Sequence, residues 1–177
     1  MRSRRSTREA SPDVRDELRQ AQPFRSESQE ATIALMRTAS IVSRRLAHVV
    51  EPHGISLAQY NVLRILRGAG DDGLPTLAIR DRMIEEGSTV TRLLDKLELA
   101  GFVQRLRSRP DRRQVLCTIT EAGRVLLAEL DPAIDATDTA AVAMLDEPSR
   151  RQLIALLARI RVEQAIPELS ADEASAD

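Results

Sequence analysis

Aromatic residues are almost missing from this chain of 177: Phe24, Tyr60 and Phe102 make up 2%, and there is no tryptophan. Stacking single-stranded bases takes several ring faces, so that mode of nucleic-acid binding is excluded. The seven glycines are scattered and form neither GxxxxGK(S/T) nor GxGxxG, which removes the phosphate-cradling loops. One cysteine, Cys117, permits no internal disulfide and no cysteine-cluster zinc site. The two histidines, His48 and His53, have no third ligand spaced to join them on zinc. No Ser/His/Asp or Cys/His set has a fitting context, since Cys117 is remote in sequence from both histidines. We therefore expect no enzyme, no catalytic residue, no metal and no cofactor. No apolar run approaches the roughly 18–20 residues that cross a bilayer. The opening MRSRRSTREA is basic without an apolar stretch behind it, so no secretory signal or membrane partner is expected. The expected location is the cytoplasm.

What is present is a core-forming composition, 42% hydrophobic against 30% charged. The net charge of −1 hides a segregated pattern. Arg2, Arg4, Arg5 and Arg8 stand at the start without an acid, where a solvated tail is the plainer reading than an arm in a groove. Residues 103–113 hold five arginines against Asp111 alone, and residues 162–177 hold five acids with no Lys or Arg. A local polyanion contact is one reading of the central basic stretch, and a solvated loop is the other.

Capping signals divide the chain. Ser11-Pro12-Asp13 predicts a short helix to about Gln22, stopped by Pro23. Ser26-x-x-Gln29 opens a longer helix whose Leu35, Ala39, Val42, Leu46 and Val49 form a seam of period 3.5, the pattern that seeks a partner helix. Pro52-His53-Gly54 ends it. Ser56-x-x-Gln59 starts a helix with Tyr60, Leu63 and Leu66 inward and Val62 and Ile65 beside them. Thr76 is expected to cap a short helix with Leu77, Ala78, Ile79 and Met83 inward. After the turn Glu86-Gly87-Ser88, a helix from about Thr89 to Ala100 turns Val90, Leu93, Leu94 and Leu97 inward. Thr89, Thr91, Arg92, Asp95 and Lys96 face outward, and Gly101 suits a left-handed C-terminus. The period then becomes two over 102–106 and 115–119, a β-hairpin with an arginine-studded tip. Thr120-Glu121 caps a long helix carrying Val125, Leu126, Leu130, Ile134, Val142 and Leu145, with Pro132 inside it. Asp146-Glu147-Pro148 starts the last helix, with Leu153, Leu156, Leu157 and Ile160 on one face.

This order describes a mainly α chain with a small β-hairpin: a winged helix-turn-helix over 56–120, flanked by helical dimerisation segments at 25–55 and 121–167. Residues 1–24 form an N-terminal extension and 168–177 an acidic tail. An α-helix fits the major groove of double-stranded DNA, and an arginine-tipped hairpin beside it suits the minor groove or its phosphates. The candidate contacts are Ser88, Thr89, Thr91, Arg92 and Lys96 on the recognition helix and Arg107, Arg109, Arg112 and Arg113 on the wing. Asp95 and Glu98 are expected to form local ion pairs. Cys117, alternating with Val115 and Ile119, faces the base of the wing. The flanking seams pair two copies, which places two recognition helices about 34–36 Å apart. The alternative is a winged-helix adaptor whose arms dock another protein and whose basic hairpin is incidental.

The stretches SLAQYNVLRIL, STVTRLLDKLELAGFVQR and RPDRRQVLCTITEAG resemble the MarR family of bacterial transcriptional regulators. The resemblance covers residues 28–166 in element order and is strongest at 88–123. It implies a homodimeric repressor of a pseudo-palindromic operator, released by a small aromatic or anionic ligand. In the family an Asp-x-Arg segment shapes the wing, so Asp111 becomes the brace of Arg113, with Arg109 and Arg112 nearest DNA. Family ligands bind near the junction of dimer helix and DNA module, which makes Arg44, Arg45, His48, His53 and Tyr60 candidate ligand contacts; a surface or capping role is the plainer reading of the histidines. Redox-sensing members carry their cysteine in the first helix, so Cys117 is not expected to sense peroxide. The turn Ile84-Glu85-Glu86-Gly87-Ser88 departs from the family's Gly-Ile/Val-Ser. A urate-responsive branch has an extra N-terminal helix bearing tryptophan; this chain lacks the tryptophan, so urate is not implied.

Overall fold

Side-chain caps set where most of the helices begin. In this computed structural model, which describes residues 13–85, 89–107 and 115–164, Ser26 Oγ accepts from Gln29 N at 3.2 Å and opens α2 (Glu27–Val50). Gln29 Oε1 reaches one residue further back than expected, to Arg25 N at 2.8 Å. The box at Ser56 is complete: Ser56 Oγ accepts from Gln59 N, and Gln59 Oε1 from Ser56 N, at the start of α3 (Leu57–Ala69). Thr120 Oγ1 accepts from Gly123 N at α6 (Glu121–Ala141). Asp146 Oδ1 accepts from Ser149 N at α7 (Glu147–Gln164).

The N-terminal helix is shorter than its pattern suggests. α1 spans only Val14–Glu17, capped by Asp13. Arg19 takes φ 50°, and the Arg15 guanidinium donates to the carbonyls of Gln20 and Ala21, which turns the chain back before Gln22. Ser11 and Pro12 lie outside the described residues. α1 is tied to α2 by Arg37 Nε to Glu17 Oε2, 3.4 Å.

Thr76 does not cap the next helix. Pro75 occupies the cap position of α4 (Thr76–Arg80), and Thr76 is its first residue. Leu77, expected inward, is exposed while Ile79 is fully buried; two residues apart are about 200° apart around a helix, so both cannot face one core. Leu74–Pro75 is an unexpected strand, β1, that extends the hairpin to three strands in the order β1-β3-β2. β2 (Val103–Arg107) pairs antiparallel with β3 (Val115–Ile119), from Val103 opposite Ile119 to Arg107 opposite Val115. β1 puts Leu74 opposite Cys117. Gly73 makes this possible: its φ is +70°, and a Cβ there would lie 2.6 Å from Thr118 Cγ2.

The core gathers Leu63 and Leu66 of α3, Ile79, Leu94 and Leu97 of α5 (Val90–Leu99), Cys117, and Leu127 and Leu130 of α6. Val125, expected inward, is exposed; the buried stripe of α6 is Leu126, Leu127, Leu130 and Ile134. α6 ends at Ala141, so Val142 and Leu145 fall in the turn beyond, where Leu145 N bonds Val142 O. Arg67 of α3 grips Asp131 of α6 with both ends of its fork, 2.7 and 3.1 Å. The chain divides into two compact units, residues 1–137 and 138–177. Among the described residues no helix is long and apolar enough to cross a membrane.

Candidate nucleic-acid interface

The amphipathic order of α5 decides which side chains it offers. Val90, Leu94 and Leu97 are buried, which leaves Thr89, Thr91, Arg92, Asp95 and Lys96 exposed. The Thr89 hydroxyl makes no capping bond at the helix start. Gly101, at φ +77°, closes the helix and turns the chain into β2. The segment before α5 is held from below: Asn61, a buried polar residue of α3, accepts from Ile84 N at 3.0 Å. Ser88 lies outside the described residues.

Asp95 and Glu98 form the expected ion pairs, both with Arg105 of β2. Arg105 Nη2 stands 2.7 Å from Asp95 Oδ1, and Nη1 2.7 Å from Glu98 Oε2. Below the guanidinium, Cys117 occupies the register position opposite Arg105 with its side chain fully buried. Burial pushes its thiol up from the ordinary value, against the opposing pull of Arg105. A thiol held protonated is a poor nucleophile. Arg107 ends β2 opposite Val115, and residues 108–114 connect the two strands in sequence. Arg109, Asp111, Arg112 and Arg113 all fall in that segment, outside the described residues.

A pocket of about 520 Å³ lies between α2, α3 and the segment after α4. Its wall is largely apolar, with Val42, Leu46, Tyr60, Met83 and Ile84; Ser40, Ser43, Asn61, Arg64 and Glu85 supply polar groups. Of the sequence-based ligand candidates only Tyr60 lines it. Arg44, Arg45 and His48 are exposed on α2, and His53 is exposed on the 3₁₀ turn Glu51–His53. The sequence reading missed Arg64, one helical turn after Tyr60, whose guanidinium carbon lies 5.9 Å from the centre of that ring. It also missed Asn61, whose signal is an amide set between Tyr60 and Val62 on the apolar face of α3.

Residues 55–115 match the MarR family. The HTH-type transcriptional regulator TtmR of Methylorubrum extorquens is 34% identical over 130 residues, covering 73% of this chain and 65% of TtmR. The match thus spans just under two thirds of that relative's length. CouR from Rhodococcus jostii, solved bound to p-coumaroyl-CoA, superposes with a TM-score of 0.66 at 25% identity, over 77% of this chain and 95% of CouR. The Staphylococcus aureus MepR–DNA complex has the same fold, with a TM-score of 0.68 at 24% identity over 80% of this chain and 99% of MepR.

Proposed function

We propose, from the premise that this chain belongs to the MarR family, that it is a cytoplasmic, homodimeric transcriptional repressor that reads a pseudo-palindromic stretch of double-stranded DNA. One observation carries the reading. The recognition helix exposes two threonines, an arginine and a lysine beside a hairpin whose connecting segment is rich in arginine, while its other face is locked into the core. Hydroxyls and a guanidinium on a groove-sized helix read base edges, and arginines on a projecting hairpin hold phosphates. Ser88, Thr89, Thr91, Arg92 and Lys96 are the proposed base-side contacts. Arg107, Arg109, Arg112 and Arg113 are the proposed wing contacts, with Asp111 bracing Arg113. The second copy covers the apolar faces of α2 and α7, which one chain leaves exposed at Leu35, Met36, Leu153, Leu156 and Ile160. The relatives act as transcriptional regulators, and no chemical step is assigned to this chain.

The pocket is the proposed effector site. Tyr60 offers a ring and Arg64 a cation, which suits a small ligand with an aromatic body and an anionic group; CouR with p-coumaroyl-CoA supports that class. Asn61 ties the pocket wall to the backbone leading into α5. A ligand that favours a shifted α5 releases DNA only in proportion to its preference for that state.

Gel shifts against duplex DNA over a salt series test the binding. Affinity falls steeply with salt, with a slope set by the number of phosphates contacted. Arg112→Ala weakens binding to all sequences and lowers that slope by about one, whereas Arg92→Ala also relaxes sequence preference. Negligible effects of both substitutions contradict the proposal.

A further inference from the structure

We propose that Arg105 is a positioning residue of the DNA-reading surface: it fastens the first strand of the wing to the recognition helix and takes that helix's two carboxylates out of competition for its cations. The role rests on the duplex-binding reading above and adds a residue that touches no DNA.

The geometry is a fork closed on one helix face. Asp95 and Glu98 are three residues apart on α5, which puts them side by side. Arg105 arrives from the next element and meets each with a separate nitrogen at 2.7 Å. Its Nη2 also reaches the Thr91 carbonyl more loosely, at 3.4 Å. Arg105 is 24% exposed where Asp95 is 57% exposed, so the cation lies against the protein and the acid stands at the rim. A planar guanidinium that meets two carboxylates at once couples the strand to the helix, so the contact favours one mutual angle of β2 and α5.

The second consequence concerns charge. Arg92 precedes Asp95 by three residues, and Lys96 precedes Ala100 on the turn above. Without Arg105, Asp95 has Arg92 as its nearest helical partner, and that pair withdraws the proposed base-reading guanidinium from the groove. With Asp95 and Glu98 engaged by Arg105, no carboxylate among the described residues pairs with Arg92 or Lys96. The same pairing screens two negative charges that otherwise face a polyanion.

The test uses the full chain and a duplex selected by the wild-type protein from random sequence, with affinity measured over a salt series. Arg105→Met weakens binding by about tenfold, and the slope of log affinity against log salt stays at the wild-type value because no phosphate contact is lost. Adding Asp95→Asn and Glu98→Gln to Arg105→Met restores part of the loss, the share due to the stranded acids, and leaves the share due to the missing fork. Arg105→Lys keeps the charge without the fork and falls between wild type and Arg105→Met; it carries the test if Arg105→Met fails to fold. A slope reduced by about one in Arg105→Met makes Arg105 a phosphate contact and overturns the proposal. So does a gain from Asp95→Asn with Glu98→Gln that is equal with and without Arg105→Met, or wild-type affinity in both Arg105 variants. A wild-type chain that retards no duplex overturns the functional reading itself, and this role with it.

Discussion

The winged-helix segment and the α7 helix treat their apolar residues in opposite ways. From Ile55 to Ile119, Val62, Leu63, Leu66, Ile79, Leu94, Leu97 and Cys117 are fully buried within one chain. Along α7, Ile154 is 64% exposed and Val162 76%, and on α2 Met36 is 66% exposed. Both regions show helical periodicity. The period of an apolar stripe therefore says which way a helix faces and not what covers it. In the winged helix the cover comes from the same chain: α3, α5 and β3 close on one another, and Arg67 and Asp131 bind α6 across α3. α7 and the first half of α2 carry exposed apolar residues, the property expected of a surface completed by a second copy, whereas α6 and the end of α2 join the core.

Substitutions separate the two regions. The largest effect falls in the closed one. Leu94→Ala removes a fully buried side chain of the recognition helix and lowers unfolding free energy by about 2–5 kcal/mol; urea denaturation reads it, and a loss under half a kilocalorie breaks the comparison. Leu156→Asp with Ile160→Asp sits on the open stripe. These changes leave the winged helix folded, shift sedimentation from dimer to monomer, and weaken operator binding by about a hundredfold through lost bivalency. A double variant that stays dimeric shows that α7 is not the joint.

The smallest effect is at the entrance of α7. The Ser149 hydroxyl and amide hold the Asp146 carboxyl below the usual aspartate range. A folded value below the unfolded one means the cap supports the helix above the unfolded value, and the support fades as pH falls through the folded one. Protection of the Ser149 amide, its exchange rate set against the intrinsic rate at the same pH, therefore falls at acid pH. Asp146→Asn keeps a capping oxygen that does not titrate and flattens the response; an unchanged acid response in that variant contradicts the assignment.

Much of this was readable because the deciding interactions are local. The capping box at Ser56 and the Ser26 cap involve neighbours three residues apart, and the exposed face of α5 follows from a single amphipathic helix. The pairing of Asp95 and Glu98 was likewise near at hand, with Arg105 seven residues beyond Glu98. What escaped was set by distant partners. β1 is two residues long and contains proline; it is a strand only because β3 lies alongside it. Asn61 looks like an odd polar residue in a core helix until Ile84 N, 23 residues away, is brought to it. Hydrophobicity alone places Leu77 and Val125 inward, although their neighbours Ile79 and Leu126 fix the buried face. Charge near a junction points to Arg44, Arg45, His48 and His53, whereas the pocket wall is drawn mainly from apolar positions of α2, α3 and the segment after α4.

Selection of bound fragments from a pool of random duplexes by the purified full-length chain tests the central claim most directly. The account predicts an enriched sequence with two-fold symmetry, its half-sites about one helical turn or 10–10.5 base pairs apart, bound by two chains. A pool that shows no enrichment, or a single asymmetric half-site bound by one chain, contradicts it.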